Sequence, residues 1–338
     1  MVPHRTRIVA ALGAVVVATV GLAGCGGSSA GGGSAGVTLS LVAYSTPQAA
    51  YTKLIAAFKA TPEGRNVTFK QSYGASGDQS RAVQSGLKAD VVEFSLEPDM
   101  TRLVKANLVD ASWNTDQYKG FITDSVVVLA TRKGNPKNIR TWDDLLKPGI
   151  DVITPNPFAS GSARWNIMAA YGAKSSKGTD QAAGLAYLTA MFPHVSVQDT
   201  SGRAATQTFV SGKGDVLISY ENEAIAAQQN GQPVDYVIPD QTILIENPIA
   251  VTKNSAHPAE AKAFVAFLHT PQAQKIFADN GYRPVVQGVG GPSFATPPHL
   301  FTINDLGGWS KVQTQFFDPD KGLMVPIEAR NGVSSKTG

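Results

Sequence analysis

From residue 37 onward the chain switches between two hydrophobic periods. Residues 37–44 alternate and are rich in β-branched side chains, which predicts a strand. Residues 49–60 set Tyr51, Leu54, Ile55 and Phe58 at helical spacing. A second strand is expected at 67–71, a second helix at 78–87 and a buried strand at 90–96. Strand, helix, strand, helix, strand in this order defines an α/β layer with a mainly parallel sheet. The alternation resumes downstream, with strands at 125–131, 152–154, 195–197 and 215–220. Helices are expected to open near Thr141, Ser160, Ser201 and Glu221, with Thr141 as an N-cap. An extended segment at 243–252 and amphipathic helices at 259–268 and 272–280 follow. The pattern predicts two α/β lobes without an internal repeat. Residues 37–123 and 247–338 are assigned to the first lobe and 124–246 to the second, with hinges at the crossing segments 121–126 and 247–251.

The first 36 residues have a different character. Arg5 and Arg7 precede an uncharged apolar run from residue 8 to 22, and Leu22-Ala23-Gly24-Cys25 follows. A basic start, a short apolar run and small residues at the cleavage point read as an export signal over residues 1–24. The run is short for a membrane-spanning helix. Cys25 is the only cysteine, and its context resembles the bacterial lipobox, in which the cysteine becomes the lipidated N-terminus. The competing reading is a plain secretory signal with an incidental thiol. A lone cysteine in an exported chain, however, has no intrachain disulfide to form. Residues 26–36 contain only Gly, Ser and Ala, so residues 25–36 form a flexible tether to a membrane anchor.

Composition excludes some functions. With 43% hydrophobic and 16% charged residues the chain is ordinary for a globular protein. The formal charge of +3 includes Arg5 and Arg7, so the exported part is close to neutral. That argues against nucleic acid as a partner. The five histidines are scattered without metal-ligand spacing, and no P-loop or G-x-S-x-G is present. Catalytic residues, cofactors and metals are therefore not expected. A serine hydrolase would need His194 or another histidine carried to Ser76 or Ser160.

Three loops share one design. Gly74-Ala75-Ser76-Gly77, Ala159-Ser160-Gly161-Ser162 and Thr200-Ser201-Gly202 each combine small residues with hydroxyls, and each precedes a predicted helix. A helix start offers unpaired N–H groups and a partial positive charge, and glycine permits close approach to the backbone. Such loops are anion sites in waiting. One alone is most simply a helix cap, and the pattern leaves capping and anion binding both open.

Longer stretches carry a resemblance. Lys88-Ala89-Asp90-Val91-Val92, Arg132-Lys133-Gly134-Asn135-Pro136, Val152-Ile153-Thr154-Pro155-Asn156-Pro157, Ala163-Arg164-Trp165-Asn166, Gly214-Asp215-Val216-Leu217-Ile218, Glu221-Asn222-Glu223-Ala224, Tyr282-Arg283-Pro284 and Phe301-Thr302-Ile303 stand in the order of a known family. With the Gly74 loop they make the chain resemble the bacterial periplasmic sulfate-binding proteins of ABC importers. The resemblance implies a type II periplasmic-binding-protein-like fold, α/β with two lobes and a ligand cleft between them. It implies a binding protein, not an enzyme, expected to be a monomer that delivers sulfate to a membrane permease and its ATPase. Thiosulfate and molybdate are the alternative oxyanions. A surface adhesin or scaffold on the same fold is the alternative class.

The donors implied by the resemblance are the backbone at Ser45, the Ser76 hydroxyl, Ser160, the backbone at Gly161 and Ser162, the Gly202 N–H and Tyr220. Tyr220 stands where the family has a tryptophan indole, Ser162 where it has glycine, Gly202 where it has alanine and Ser45 where it has aspartate. A phenol donates and accepts, whereas an indole only donates. The alternative for Tyr220 is a cleft-wall aromatic with its hydroxyl bonded elsewhere. Arg164 and Arg203 are expected to touch the loops rather than the anion. Asp78, Asp199 and Glu221 are read as helix-start or supporting groups.

Overall fold

The computed structural model describes residues 36–336. The export signal, Cys25 and the tether up to residue 35 lie outside the described residues. The first part of the chain runs β1 (Val37–Tyr44), α1 (Gln48–Lys59), β2 (Val67–Gly74), α2 (Ser76–Gln84), β3 (Val91–Glu93) and α3 (Glu97–Lys105). β1 pairs in parallel with β2 and with β3. On α1, Ala50, Tyr51, Leu54, Ile55 and Phe58 form the buried stripe that its spacing predicts.

β4 (Phe121–Arg132) then crosses to the second lobe. This lobe contains β5 (Val152–Ile153), α4 (Gly161–Lys174), α5 (Gln181–Met191), β6 (Val195–Val197), α6 (Gly202–Val210), β7 (Val216–Tyr220), α7 (Glu221–Gln229) and β8 (Val234–Val237). Thr141 does cap the helical turn after it, in a capping box with Asp144, although that turn is a short 3-10 segment. β9 (Gln241–Val251) returns antiparallel to β4 and reaches β3 with its last residues. α8 (Pro258–Leu268), α9 (Pro271–Asp279) and β10 (Arg283–Pro284) complete the first lobe's side. The strand order β2-β1-β3-β9-β4-β7-β5-β6 makes β9 and β4 the joint between the half-sheets. A register shift between Phe121 and Thr123 marks the crossing.

The tail departs from the expected lobe boundary. β11 (His299–Phe301), α10 (Gly308–Phe316) and α11 (Met324–Arg330) follow a third crossing at residues 285–298. β11 pairs with the start of β9. Phe301, Trp309, Phe316 and Ile327 share a core with Trp165, Met168, Leu188 and Phe192 of the second lobe. The first lobe's core instead gathers Leu39, Tyr51, Phe58, Phe264 and Phe277. The end of the chain therefore belongs with the middle and not, as the boundary at 247–338 had it, with the beginning. Its aromatic side chains fill a space beside α4 that residues 124–246 do not close. α4 is accordingly buried nearly all round, with twelve of its fourteen residues inaccessible.

Candidate functional site

The second lobe builds its wall from helix starts. Asn156 accepts the Ser160 N–H at its carbonyl (2.8 Å) and the Phe158 N–H at Oδ1 (2.8 Å), folding the Pro155–Pro157 region tightly into α4. Ser160 is the N-cap of α4 in an extended conformation, but its side chain caps nothing. Its hydroxyl pairs with that of Ser162 at 2.7 Å. α6 opens with Gly202 after Ser201, whose hydroxyl accepts from Ala204 N–H at 3.2 Å. A Cβ on Gly202 would lie 2.8 Å from Ser162 Oγ, so the two loops meet here and glycine makes room. β7 ends at Tyr220, and α7 starts at the next residue.

The first lobe faces this wall with the end of β1, the start of α2 and the turn after β3. Ser45 Oγ accepts from the Arg203 N–H at 3.4 Å, and Thr46 O accepts from Arg203 Nη2 at 2.7 Å. A Cβ on Gly77 would come within 2.9 Å of Ala159 O, so the α2 start abuts the loop before α4. Ser76 Oγ donates to Asp99 Oδ2 at 2.7 Å and accepts the Ser95 N–H at 3.0 Å. Its one hydroxyl proton is thus engaged by a carboxylate, and its backbone N–H at the first position of α2 is the freer donor.

Ser95 joins the walls. Its carbonyl accepts from Trp165 Nε1 at 2.7 Å and Asn247 Nδ2 at 3.1 Å, and its hydroxyl meets the Tyr220 hydroxyl at 2.6 Å. A Cβ on Gly161 would lie 2.8 Å from Ser95 Cβ and 2.2 Å from Leu96 Cδ2. The seven residues expected at the site therefore lie in one linked cluster, with Ser95 at its centre. Ser95 was not read from the sequence. The one available signal was a hydroxyl inside the apolar stretch 90–96.

Charged side chains surround the cluster, most of them in acid–arginine pairs. Asp99 is held by Ser76 and by Arg102 at 2.8 Å. Arg164 donates to Pro157 O (2.7 Å) and Gln313 Oε1 (2.8 Å). Burial lowers its guanidinium to about 10, against the pull of Asp99. Arg203 pairs with Glu223 at 2.9 Å, and Arg283 grips Glu221 with two bonds of 2.7 and 3.1 Å. Burial raises the Glu223 carboxyl, with Arg203 opposing. Asp78 pairs with Arg81, and Asp199 Oδ1 accepts from Thr208. Burial keeps the Tyr220 phenol protonated, well above its usual range. One fully buried acid behind the wall, Glu93, is pushed up to about 8 by burial, with Tyr51 opposing. The cluster can thus present hydrogen-bond donors to a small ligand with its nearby acids paired and the buried Arg164 guanidinium bonded to neutral oxygens.

A half-sheet in each lobe, joined by crossing strands around a cleft of helix starts, is the architecture of a solute-binding protein, and residues 39–283 match the bacterial extracellular solute-binding protein family. The chain belongs to that family and, within it, to the group of the sulfate-binding proteins. The sulfate-binding protein of Synechococcus elongatus is 44% identical over 323 residues, covering 91% of this chain and 92% of the relative. The thiosulfate-binding protein of Escherichia coli is 39% identical, covering 75% and 79%. Among solved structures, the sulfate-binding protein SubI from Mycobacterium tuberculosis superimposes with a TM-score of 0.81 at 51% identity, covering 83% of this chain and all of that one. Among the described residues no helix is long and apolar enough to cross a membrane.

Proposed function

We propose that this chain captures sulfate outside the membrane, held there by lipid on Cys25, and hands it to the permease and ATPase of an ABC importer. One observation carries the reading. The starts of α2, α4, α6 and α7, from both lobes, converge on a cleft of serines and glycines whose acids Asp99, Glu223 and Glu221 are each paired with an arginine. Each helix start supplies N–H groups without intrahelical partners and a partial positive end, worth about 0.3–2 kcal/mol to an anion. Sulfate near neutral pH is a dianion that only accepts hydrogen bonds. Donors from Ser45, Ser76, Gly161, Ser162, Gly202, the Ser160 hydroxyl and the Tyr220 side of the cleft replace its water. The lobes close over it about β4 and β9, by the hinge motion usual in periplasmic binding proteins. The protein binds and releases without chemistry, a reading supported by relatives named as binding proteins.

Thiosulfate is the second reading, because a thiosulfate-binding relative is as similar as the sulfate-binding one of the same organism, at 39% and 38% identity. Calorimetry of the refolded, ligand-free protein with sulfate, thiosulfate and phosphate separates the readings. Phosphate keeps a proton that a wall of donors leaves unsatisfied, so sulfate is expected to bind at least about tenfold to hundredfold more tightly. Equal affinity for sulfate and phosphate defeats the donor reading, and preference for thiosulfate installs the second one. The anchor is tested separately: Cys25→Ala is expected to release the protein from the membrane fraction with its affinity intact.

A further inference from the structure

We propose that Ser95, not Tyr220, delivers the side-chain proton on the β7 side of the cleft, with Tyr220 as its positioning residue. The inference deepens the sulfate reading and rests on it. The two hydroxyls are 2.6 Å apart and each has one proton, so one of them must donate to the other. Only one proton of the pair is left for a ligand. The chemistry of the pair decides which. A phenol is the stronger acid, with a pKa near 10, and its oxygen shares its lone pairs with the ring. It is the better donor and the poorer acceptor. An aliphatic hydroxyl is the better acceptor. Tyr220 therefore donates to Ser95 Oγ, and the proton of Ser95 points away from the pair.

Position supports the same choice. Ser95 Oγ would touch a Cβ on Gly161 at 2.9 Å, so it lies against the first residue of α4, where unpaired N–H groups gather. Ser95 is fixed at its other polar atoms: its N–H by Ser76 and its carbonyl by Trp165 and Asn247. The hydroxyl is its only polar group not already fixed by lobe contacts other than Tyr220. Tyr220 is fully buried, and among the described residues its hydroxyl has Ser95 as its one hydrogen-bond partner. Accepting a bond from Tyr220 also strengthens the Ser95 hydroxyl as a donor, since hydrogen-bonded hydroxyls polarise one another. The family's indole proton is thus replaced by a relay of two hydroxyls, contributed by opposite lobes and made only when those lobes meet.

Titration of sulfate into the whole exported protein and the variants Ser95→Ala, Tyr220→Phe and the double variant tests this. Ser95→Ala is expected to lose about tenfold to hundredfold in affinity, the value of a bond to a charged acceptor. Tyr220→Phe keeps the Ser95 proton and is expected to lose threefold or less, roughly. The double variant should match Ser95→Ala. Unchanged melting curves check that each variant folds. A large loss in Tyr220→Phe with a small one in Ser95→Ala overturns the assignment and makes the phenol the direct donor. Small losses in both place the pair outside the site and also overturn it. A parent protein that takes up no sulfate overturns the sulfate reading itself, an outcome recognisable before any variant is made.

Discussion

The two walls of the cleft spend their polar atoms differently. The wall of α4, α6 and α7 leaves the starts of α4 and α7 without side-chain caps, and among the described residues the Ser160 and Ser162 hydroxyls pair only with each other. The wall of β1, α2 and the turn after β3 is knitted together: Ser76 is bound twice by its own lobe, and Ser95 holds four partners. The first is mostly a surface of donors in waiting, the second mostly a junction that the other lobe docks on, with Ser95 serving both ends. Under the proposed function, anion recognition and lobe closure therefore fall unequally on the two walls, and substitutions on them should fail in different ways.

The largest effect is expected where the walls touch. Gly161→Ala would place a methyl 2.2 Å from Leu96 Cδ2 and 2.8 Å from Ser95 Cβ. It should cut sulfate affinity by more than about a hundredfold while each lobe keeps its fold, because overpacking costs about 1–3 kcal/mol or more and here opposes closure. Near-normal calorimetric affinity would show that the walls need not meet. Ser160→Ala should lose about tenfold to hundredfold in affinity with little change in melting temperature, since its hydroxyl pairs only with the Ser162 hydroxyl among the described residues. Ser76→Ala should do the reverse in part, lowering stability by about 1–3 kcal/mol because Asp99 and the Ser95 N–H lose their partner. Equal behaviour of the two serines in paired melts and titrations would erase the division.

Smaller effects sharpen it. Glu93 sits behind the knitted wall with a pKa of about 8, above the ordinary 4.5. The folded state therefore holds this proton more tightly than the unfolded chain. Its stabilising contribution is complete below pH 4.5, falls by about 1.4 kcal/mol per pH unit as pH rises towards 8, and is lost above that. Glu93→Gln should flatten this part of the stability profile between pH 5 and 8, as urea melts at stepped pH would record; parallel profiles would place the carboxyl in water. The mildest change is optical. Trp165 bonds to Ser95 O across the cleft and stacks edge-on against Trp309 at 4.6 Å. Its emission should shift on adding sulfate, and Trp165→Phe should remove most of that shift. A full signal in the variant assigns the reporter to Trp113, Trp142 or Trp309.

The open wall was the more legible in the sequence. A strand, a few small residues and a helix start form a local pattern, so the loops at Ser160 and Gly202 announced themselves, as did the Ser76 loop of the knitted wall. The knitted wall is long-range. Ser95 and Tyr220 are 125 residues apart, and Ser95 and Asn247 are 152. No local period reveals such pairs, and Ser45 came from family resemblance alone. α3 and α5 were not predicted. α3 buries only Asp99, Met100 and Leu103, and α5 is mostly alanine, glycine and leucine with little contrast between its faces. The tail went to the wrong lobe because its apolar residues declare that they are buried, not beside which partners.

That third crossing has a consequence for synthesis. The first lobe's core requires Phe264, Phe277 and Tyr282, and the second requires Phe301, Trp309 and Ile327. A growing chain of 250 residues holds neither core complete, although it already contains most of both sheets. Each half waits for residues made near the end. A chain arranged in this way leaves the cores of both lobes incomplete until its last helices have been made.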